Sequence, residues 1–204
     1  DSRAINRMVQ DNQFSRDDVY LVGLPCPQMR DRKTGAVLNK CTYCQHRNPV
    51  TSDELIGEQV VETPPADRFE QASLIEGMSG QARQDFFNRA WEKCIRCYAC
   101  RDVCPCCTCR TCFVDQRRVG WLGKQNNLTE NRFYGLIRAF HISDRCIECG
   151  ECERVCPMDL PLMSLNRELV KDMNELFGEY ESGMTTENPD VLRTYDLNDL
   201  EEFM

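Results

Sequence analysis

The sequence predicts an α+β chain: a bacterial two-cluster ferredoxin-like domain with flanking helices, preceded by a small α/β remnant. Three observations carry this. The run Cys94-x-x-Cys97-x-x-Cys100-x-x-x-Cys104-Pro105 returns as Cys146-x-x-Cys149-x-x-Cys152-x-x-x-Cys156-Pro157. Apolar residues recur at helical spacing before, between and after the two runs. Near the N-terminus a helical pattern gives way to one short stretch with strand character, Asp18–Leu24.

The paired runs have the spacing that ligates [4Fe–4S] clusters, with the fourth cysteine of each run serving the other cluster. The assignment is crossed: Cys94, Cys97, Cys100 and Cys156 hold one cluster, and Cys146, Cys149, Cys152 and Cys104 hold the other. Three thiolates two residues apart wrap one face of a cubane and leave its fourth iron to a distant cysteine. The proline fixes φ where the chain turns away. Zinc favours pairs of Cys-x-x-Cys over triplets.

The elements follow in chain order. Residues 3–10 put Ile5, Met8 and Val9 on one helical face, and Asp18–Leu24 is expected as a short buried strand, stopped by Pro25-Cys26-Pro27. Residues 1–50 are thus a small cysteine-bearing α/β segment, and 51–80, polar with Pro64-Pro65, a linker. Ser79 is a plausible N-cap for a helix to about Glu92, with Ala82, Phe86, Phe87, Ala90 and Trp91 on its apolar side. Between the runs a helix from Thr129 is expected to bury Phe133, Leu136, Ile137 and Phe140. A last helix begins near Ser164, carries Leu165, Leu169, Met173, Leu176 and Phe177, and is capped by Gly178. Residues 81–180 form the two-cluster domain with its helical insertion. Residues 181–204 read as an acidic, partner-binding tail.

The chain has 204 residues, 15 cysteines and a formal net charge of −8. No basic stripe could neutralise phosphates, which argues against nucleic-acid binding. No apolar run approaches the roughly 18 residues of a membrane span. With no signal peptide and cysteines in metal spacing, a reducing cytoplasm, that of an anaerobe, is expected. The chain opens at Asp1 without a methionine, as a processed protein or part of a longer one would.

Seven cysteines lie outside the runs: Cys26, Cys41, Cys44, Cys106, Cys107, Cys109 and Cys112. The simplest proposal is a third [4Fe–4S] cluster on Cys26, Cys41 and Cys44 with one residue of the later group, which leaves Cys107, Cys109 and Cys112 as candidates. The alternative is zinc held by Cys41-x-x-Cys44 and Cys109-x-x-Cys112. Within the runs, Ile95 and Ile147 are expected to shield the clusters from water. Arg96 and Arg101 in the first run, against Glu148, Glu151 and Glu153 in the second, predict a higher potential for the Cys94 cluster. Tyr98 stands where the second run has Gly150.

From Cys94 through Cys107-x-Cys109 and Cys112 to Cys156-Pro157-Met158, the chain resembles dicluster electron-transfer subunits of formate dehydrogenases, hydrogenases and heterodisulfide-reductase-type complexes. Gly23-Leu24-Pro25-Cys26 followed by Cys41-x-x-Cys44 is similar to the cysteine-bearing part of the deazaflavin-reducing hydrogenase β-subunit family. The resemblance covers most of the chain apart from the linker. It implies a relay between a catalytic oxidoreductase subunit and a flavin- or cluster-bearing partner of heterodisulfide-reductase type. No Gly-x-Gly-x-x-Gly phosphate loop is present for a flavin in this chain, and no nucleophile–base pair stands out, so a non-catalytic subunit of a hetero-oligomeric redox complex is expected. Two other readings stay open: the A subunit of a sirohaem sulfite-reductase-like enzyme, which resembles the chain in its Cys-Pro-x-Cys-x-Cys continuation, and a zinc-stabilised, cluster-bearing assembly scaffold.

Overall fold

Helix dominates the computed structural model, which describes residues 1–64, 67–187 and 190–193. In chain order the elements are α1 (Ser2–Gln10), β1 (Val22–Gly23), α2 (Asn39–Thr42), β2 (Glu54–Leu55), α3 (Glu70–Glu76), α4 (Gly80–Lys93), α5 (Ala99–Asp102), α6 (Leu128–His141), α7 (Glu151–Arg154) and α8 (Leu162–Phe177).

The centre is built by α4, α6 and α8. Ser79 caps α4, its hydroxyl accepting from the Ala82 N–H at 3.3 Å. The side chain of Asn127 caps α6 by accepting from the Glu130 N–H at 3.0 Å, which satisfies a donor the helix cannot pair internally. Ala90 and Trp91 of α4 are buried beside Leu160, Leu162 and Met163. The indole of Trp91 lies against α6 at Gly135, where an added Cβ would stand 2.4 Å from the ring. The two short helices α5 and α7 pack against each other, and α3 lies on α8.

Several expectations change once the chain is folded. The expected buried strand over Asp18–Leu24 is a two-residue parallel pairing of Val22 and Gly23 with Glu54 and Leu55, and Tyr20, Val22 and Leu24 are exposed. With only β2 beside it and two prolines after it, the stretch has no sheet to be buried in. The expected linker 51–80 contains β2 and α3, and Ala72 and Ile75 of α3 are buried.

On α1 the buried side chains are Arg3, Asn6 and Arg7 rather than Ile5, Met8 and Val9. The reason is what lies opposite. Arg3 Nε donates to the Ser182 carbonyl at 2.9 Å, and Asn6 Nδ2 to the Gly183 carbonyl at 2.9 Å. Arg7, fully buried, pairs with Asp11 and with the equally buried Asp190. The start of the expected partner-binding tail therefore packs on the chain's own first helix, while 194–204 lie outside the described residues.

The largest correction concerns α6. Phe133, Leu136 and Phe140, expected inside, are exposed, while Asn131, Tyr134, Gly135, Arg138 and Ala139 face inward. The interior here is lined by backbone carbonyls and thiols, which need donors and a cation. Asn131 Nδ2 donates to the carbonyls of Trp91 and Cys94 at 3.0 and 2.9 Å, and Arg138 donates to the Cys100 carbonyl at 3.0 Å.

Two predictions follow from this packing. Gly135→Ala forces Trp91 out of register with α6 and is expected to destabilise the fold by about 1–3 kcal/mol in chemical denaturation. The second concerns Glu181, which accepts from His46 at 2.5 Å and lies near Arg68 and Arg3. The His46 hydrogen bond, opposed by burial and aided by the two arginines, holds its carboxyl below the usual range. A depressed folded pKa gives stability that is present above about 4.3, the ordinary glutamate value, and is lost as pH falls through the folded value. Glu181→Gln is expected to flatten that acid limb of the stability–pH curve.

Candidate metal centres

Each cysteine run folds into the same local path. After its first cysteine the backbone enters the left-handed region twice, at Arg96 (φ 50°) and Tyr98 (φ 61°) in the first run and at Glu148 (φ 55°) and Gly150 (φ 68°) in the second. Three of these four residues carry a side chain, a conformation that costs of order 1–3 kcal/mol each and persists only where the surroundings enforce it. The gain is direction: the Arg96 N–H is turned onto the Cys94 sulfur, and the Glu148 N–H onto that of Cys146. A single helical turn follows in each run (α5, α7) and delivers the fourth cysteine to the opposite side.

The result is two apolar cavities. One is lined by Cys94, Cys97, Cys100 and Cys156 together. The other is lined by Cys104, Cys146, Cys149 and Cys152. The structure thus gathers the eight run cysteines into two sets of four, each with one member from the other run. Arg138 of α6 and Asn166 of α8 stand in the walls of both. Arg138 is only 5% exposed, its Nε has no hydrogen-bond partner, and no carboxylate pairs with it among the described residues. A buried unpaired cation is strongly unfavourable. Burial works against its charge, but Cys152, Cys100, Cys104 and Cys107 surround it, and thiolates there hold it firmly protonated. Burial, together with neighbouring carboxylate or thiol groups, pushes the thiols of Cys94, Cys146 and Cys152 up, that of Cys152 to about 12. Metal binding replaces protons on such sulfurs. Thiol-lined cavities around an uncompensated guanidinium fit anionic iron–sulfur clusters.

The two cavities differ in their shielding. Ile147 is 6% exposed and covers the second, whereas Ile95 is 53% exposed and leaves the edge of the first at the surface, contrary to the expected symmetry. The charge contrast between the runs is also largely cancelled. Glu148 pairs with Arg68 and Arg167, and Glu151 with Lys40 and Arg154. Arg101 pairs with Asp102 and Asp115, and Arg96 donates to the Gly123 and Gln125 carbonyls. Tyr98 packs edge-on against Tyr134, with ring centroids 5.2 Å apart. Its counterpart Gly150 is held bare because Lys40 sits where a Cβ would go. Sequence reasoning missed Arg138 and Asn166; their helical positions carried no motif.

The other cysteines separate. Cys26, Cys41 and Cys44 line a cavity of about 420 Å³ beside Ile147, Glu148 and Cys149, and none of Cys106 to Cys112 reaches it. Cys107, Cys109 and Cys112 line a different cavity of about 360 Å³. The expected union of the N-terminal triad with a residue of the later group, and the expected zinc pairing of Cys41 and Cys44 with Cys109 and Cys112, are therefore not assembled. Cys106 is buried, and its thiol donates to the Arg145 carbonyl at 2.9 Å. Among the described residues no helix is long and apolar enough to cross a membrane.

Residues 90–160 match the family model described as a 4Fe-4S dicluster domain. Over 153 residues, 73% of this chain, the sequence is 38% identical to an F420-dependent formate dehydrogenase subunit beta of Methanocaldococcus jannaschii, covering 38% of that protein. A 26-residue stretch, 13% of this chain and 7% of the relative, is 69% identical to F420-dependent formate dehydrogenase 1 subunit beta of Methanococcus maripaludis. The chain spans well under half the length of these relatives.

Arg138→Gln keeps a donor for the Cys100 carbonyl but removes the charge shared by both cavities. Because a cation favours the more negative, reduced cluster, the midpoint potentials of both clusters are expected to move negative in a redox titration followed by electron paramagnetic resonance.

Proposed function

We propose, from a chain that carries a 4Fe-4S dicluster domain and is a relative of formate dehydrogenase β-subunits, that this protein is a non-catalytic electron-transfer subunit of a formate-oxidising complex. The observation that carries the reading is the adjacency of two four-cysteine cavities that share a wall of Arg138 and Asn166. Each cluster, when bound there, takes up and gives back a single electron. The chain's own residues do the rest. Cys94, Cys97, Cys100 and Cys156 hold one cluster, and Cys104, Cys146, Cys149 and Cys152 the other. Ile147, Ile142 and Met163 keep water from the second site, and Arg138 supplies the compensating charge. Cys26, Cys41 and Cys44 hold a third cluster, whose wall also contains Cys149 of the second; its fourth ligand comes from outside the Cys106–Cys112 group.

The partners in this reading are a catalytic formate dehydrogenase subunit on one side and a flavoprotein of heterodisulfide-reductase type on the other, in the cytoplasm. The exposed edge of the first cavity at Ile95 suits exchange with a docked subunit, since a nearby surface shortens the path for an electron.

The test mixes the anaerobically purified, cluster-loaded chain with a formate dehydrogenase catalytic subunit and formate, and follows bleaching of the cluster absorbance. Reduction is expected only when the catalytic subunit is present, and Cys97→Ser is expected to slow it. Formate-dependent reduction by the chain alone would show it to be catalytic and sink the proposal.

A further inference from the structure

Three cysteines outside the runs meet in a place the dicluster pattern does not explain. Cys107, Cys109 and Cys112, beside the buried Cys106, line one cavity of about 360 Å³ between the loop 105–112 and α6. Cys109 is exposed and the other two half-buried, so the cavity opens to the surface. Arg101, Arg138 and Arg145 stand in the same wall. Arg101 shares that wall with Cys112. Arg101 and Arg145 also have carboxylate partners, Asp115 and Asp11. Arg138 has none among the described residues, and it is the one side chain that lines this cavity and both dicluster cavities. The cavity thus combines three soft anionic donors with an uncompensated buried cation, a setting for a bound group of net negative charge.

We propose that Cys107, Cys109 and Cys112 hold an iron–sulfur cluster of their own, distinct from the dicluster pair and from any metal on Cys26, Cys41 and Cys44. The separation of the two outer cysteine groups into different cavities requires two sites rather than one shared site. A polynuclear cluster fits better than a lone ion. Three thiols spread around a cavity of about 360 Å³ suit a centre in which each sulfur takes a separate iron. Three thiolates leave one iron to a fourth ligand. Asp115 and His141 lie in the same wall. Cys106 lies there too, its thiol donating to the Arg145 carbonyl at 2.9 Å. Cys107 adjoins the neighbouring site, its N–H donating to the Cys104 carbonyl at 3.1 Å, so the new cluster continues the line of centres toward the surface.

The experiment counts iron and acid-labile sulfide per chain on anaerobically reconstituted full-length protein, with zinc measured alongside. The variant carrying Cys107→Ser, Cys109→Ser and Cys112→Ser together is expected to hold about four irons fewer than the parent, with the dicluster resonance signals retained. Should the triple variant lose the dicluster signals through misfolding, the single Cys109→Ser at the exposed position is read instead, and loss of cluster iron there supports the site. Unchanged iron and sulfide in these variants overturns the proposal, as does loss of stoichiometric zinc in place of iron. The variant Cys26→Ser, Cys41→Ser and Cys44→Ser is run in parallel. If it loses no iron while the later triple does, the third cluster proposed on the N-terminal group fails and the site at Cys107 stands.

Discussion

A guanidinium sealed from water and, among the described residues, without a carboxylate partner is the constraint around which this molecule is arranged. Arg138 reaches from α6 into the partition between the thiol-lined cavities and bonds the Cys100 carbonyl at 3.0 Å. Its charge is tolerable there only beside anions, and the surrounding cysteines provide them once they are thiolates. That requirement turns the whole of α6. Asn131, Tyr134 and Arg138 look inward because the interior is polar and anionic, and Phe133, Leu136 and Phe140 are left on the outside. Gly135 on the same inward face then admits Trp91, which locks α4 and so places Cys94 at the mouth of its cavity.

The two cysteine runs show how one backbone solution is used twice in unlike surroundings. Both enter the left-handed region at equivalent positions and aim an N–H at the first sulfur, and both feed a single helical turn. Hydrogen bonds to sulfur and exclusion of water are the means by which a protein sets the potential of a cluster. The first is provided alike in the two runs. The second is not, because Ile95 is open to solvent and Ile147 is buried. The asymmetry between the centres comes from packing rather than from the arginines and glutamates of the runs, since most of those are ion-paired with other residues. A buried centre beside a surface-edged one has the polarity a relay requires.

The N-terminal third is fastened to the rest by charge more than by apolar contact. Arg7 with Asp190, Asp11 with Arg145, Lys40 with Glu151, and Arg68 with Glu148 are pairs drawn from distant parts of the chain. Breaking one partner of such a buried pair leaves an uncompensated charge and is costly even where the intact pair contributes little net stability. These pairs bring Cys26, Cys41 and Cys44 against the second run, where Cys149 shares their cavity.

What the sequence determined by itself is whatever spacing along the chain controls. The intervals of three, three and four between cysteines dictate loops that wrap a cluster, and their repetition with a terminal proline dictates two crossed sets; the structure gathers those eight residues as four and four. Ser79 and Gly178 mark helix ends because caps are local chemistry. The tertiary structure decided everything that depends on what lies opposite. Helical spacing places Phe133, Leu136 and Phe140 on one face of α6 but does not say that the facing interior is made of sulfur and carbonyl oxygen, which draws in the polar face instead. It likewise leaves Ile5, Met8 and Val9 outside the buried face of α1, because Ser182 and Gly183 offer carbonyls and Asp190 a carboxylate there. The division of Cys26, Cys41 and Cys44 from Cys107, Cys109 and Cys112 belongs to the same class: no interval in the chain states which distant thiols share a cavity, since that depends on how α6 and the loop after Cys104 pack.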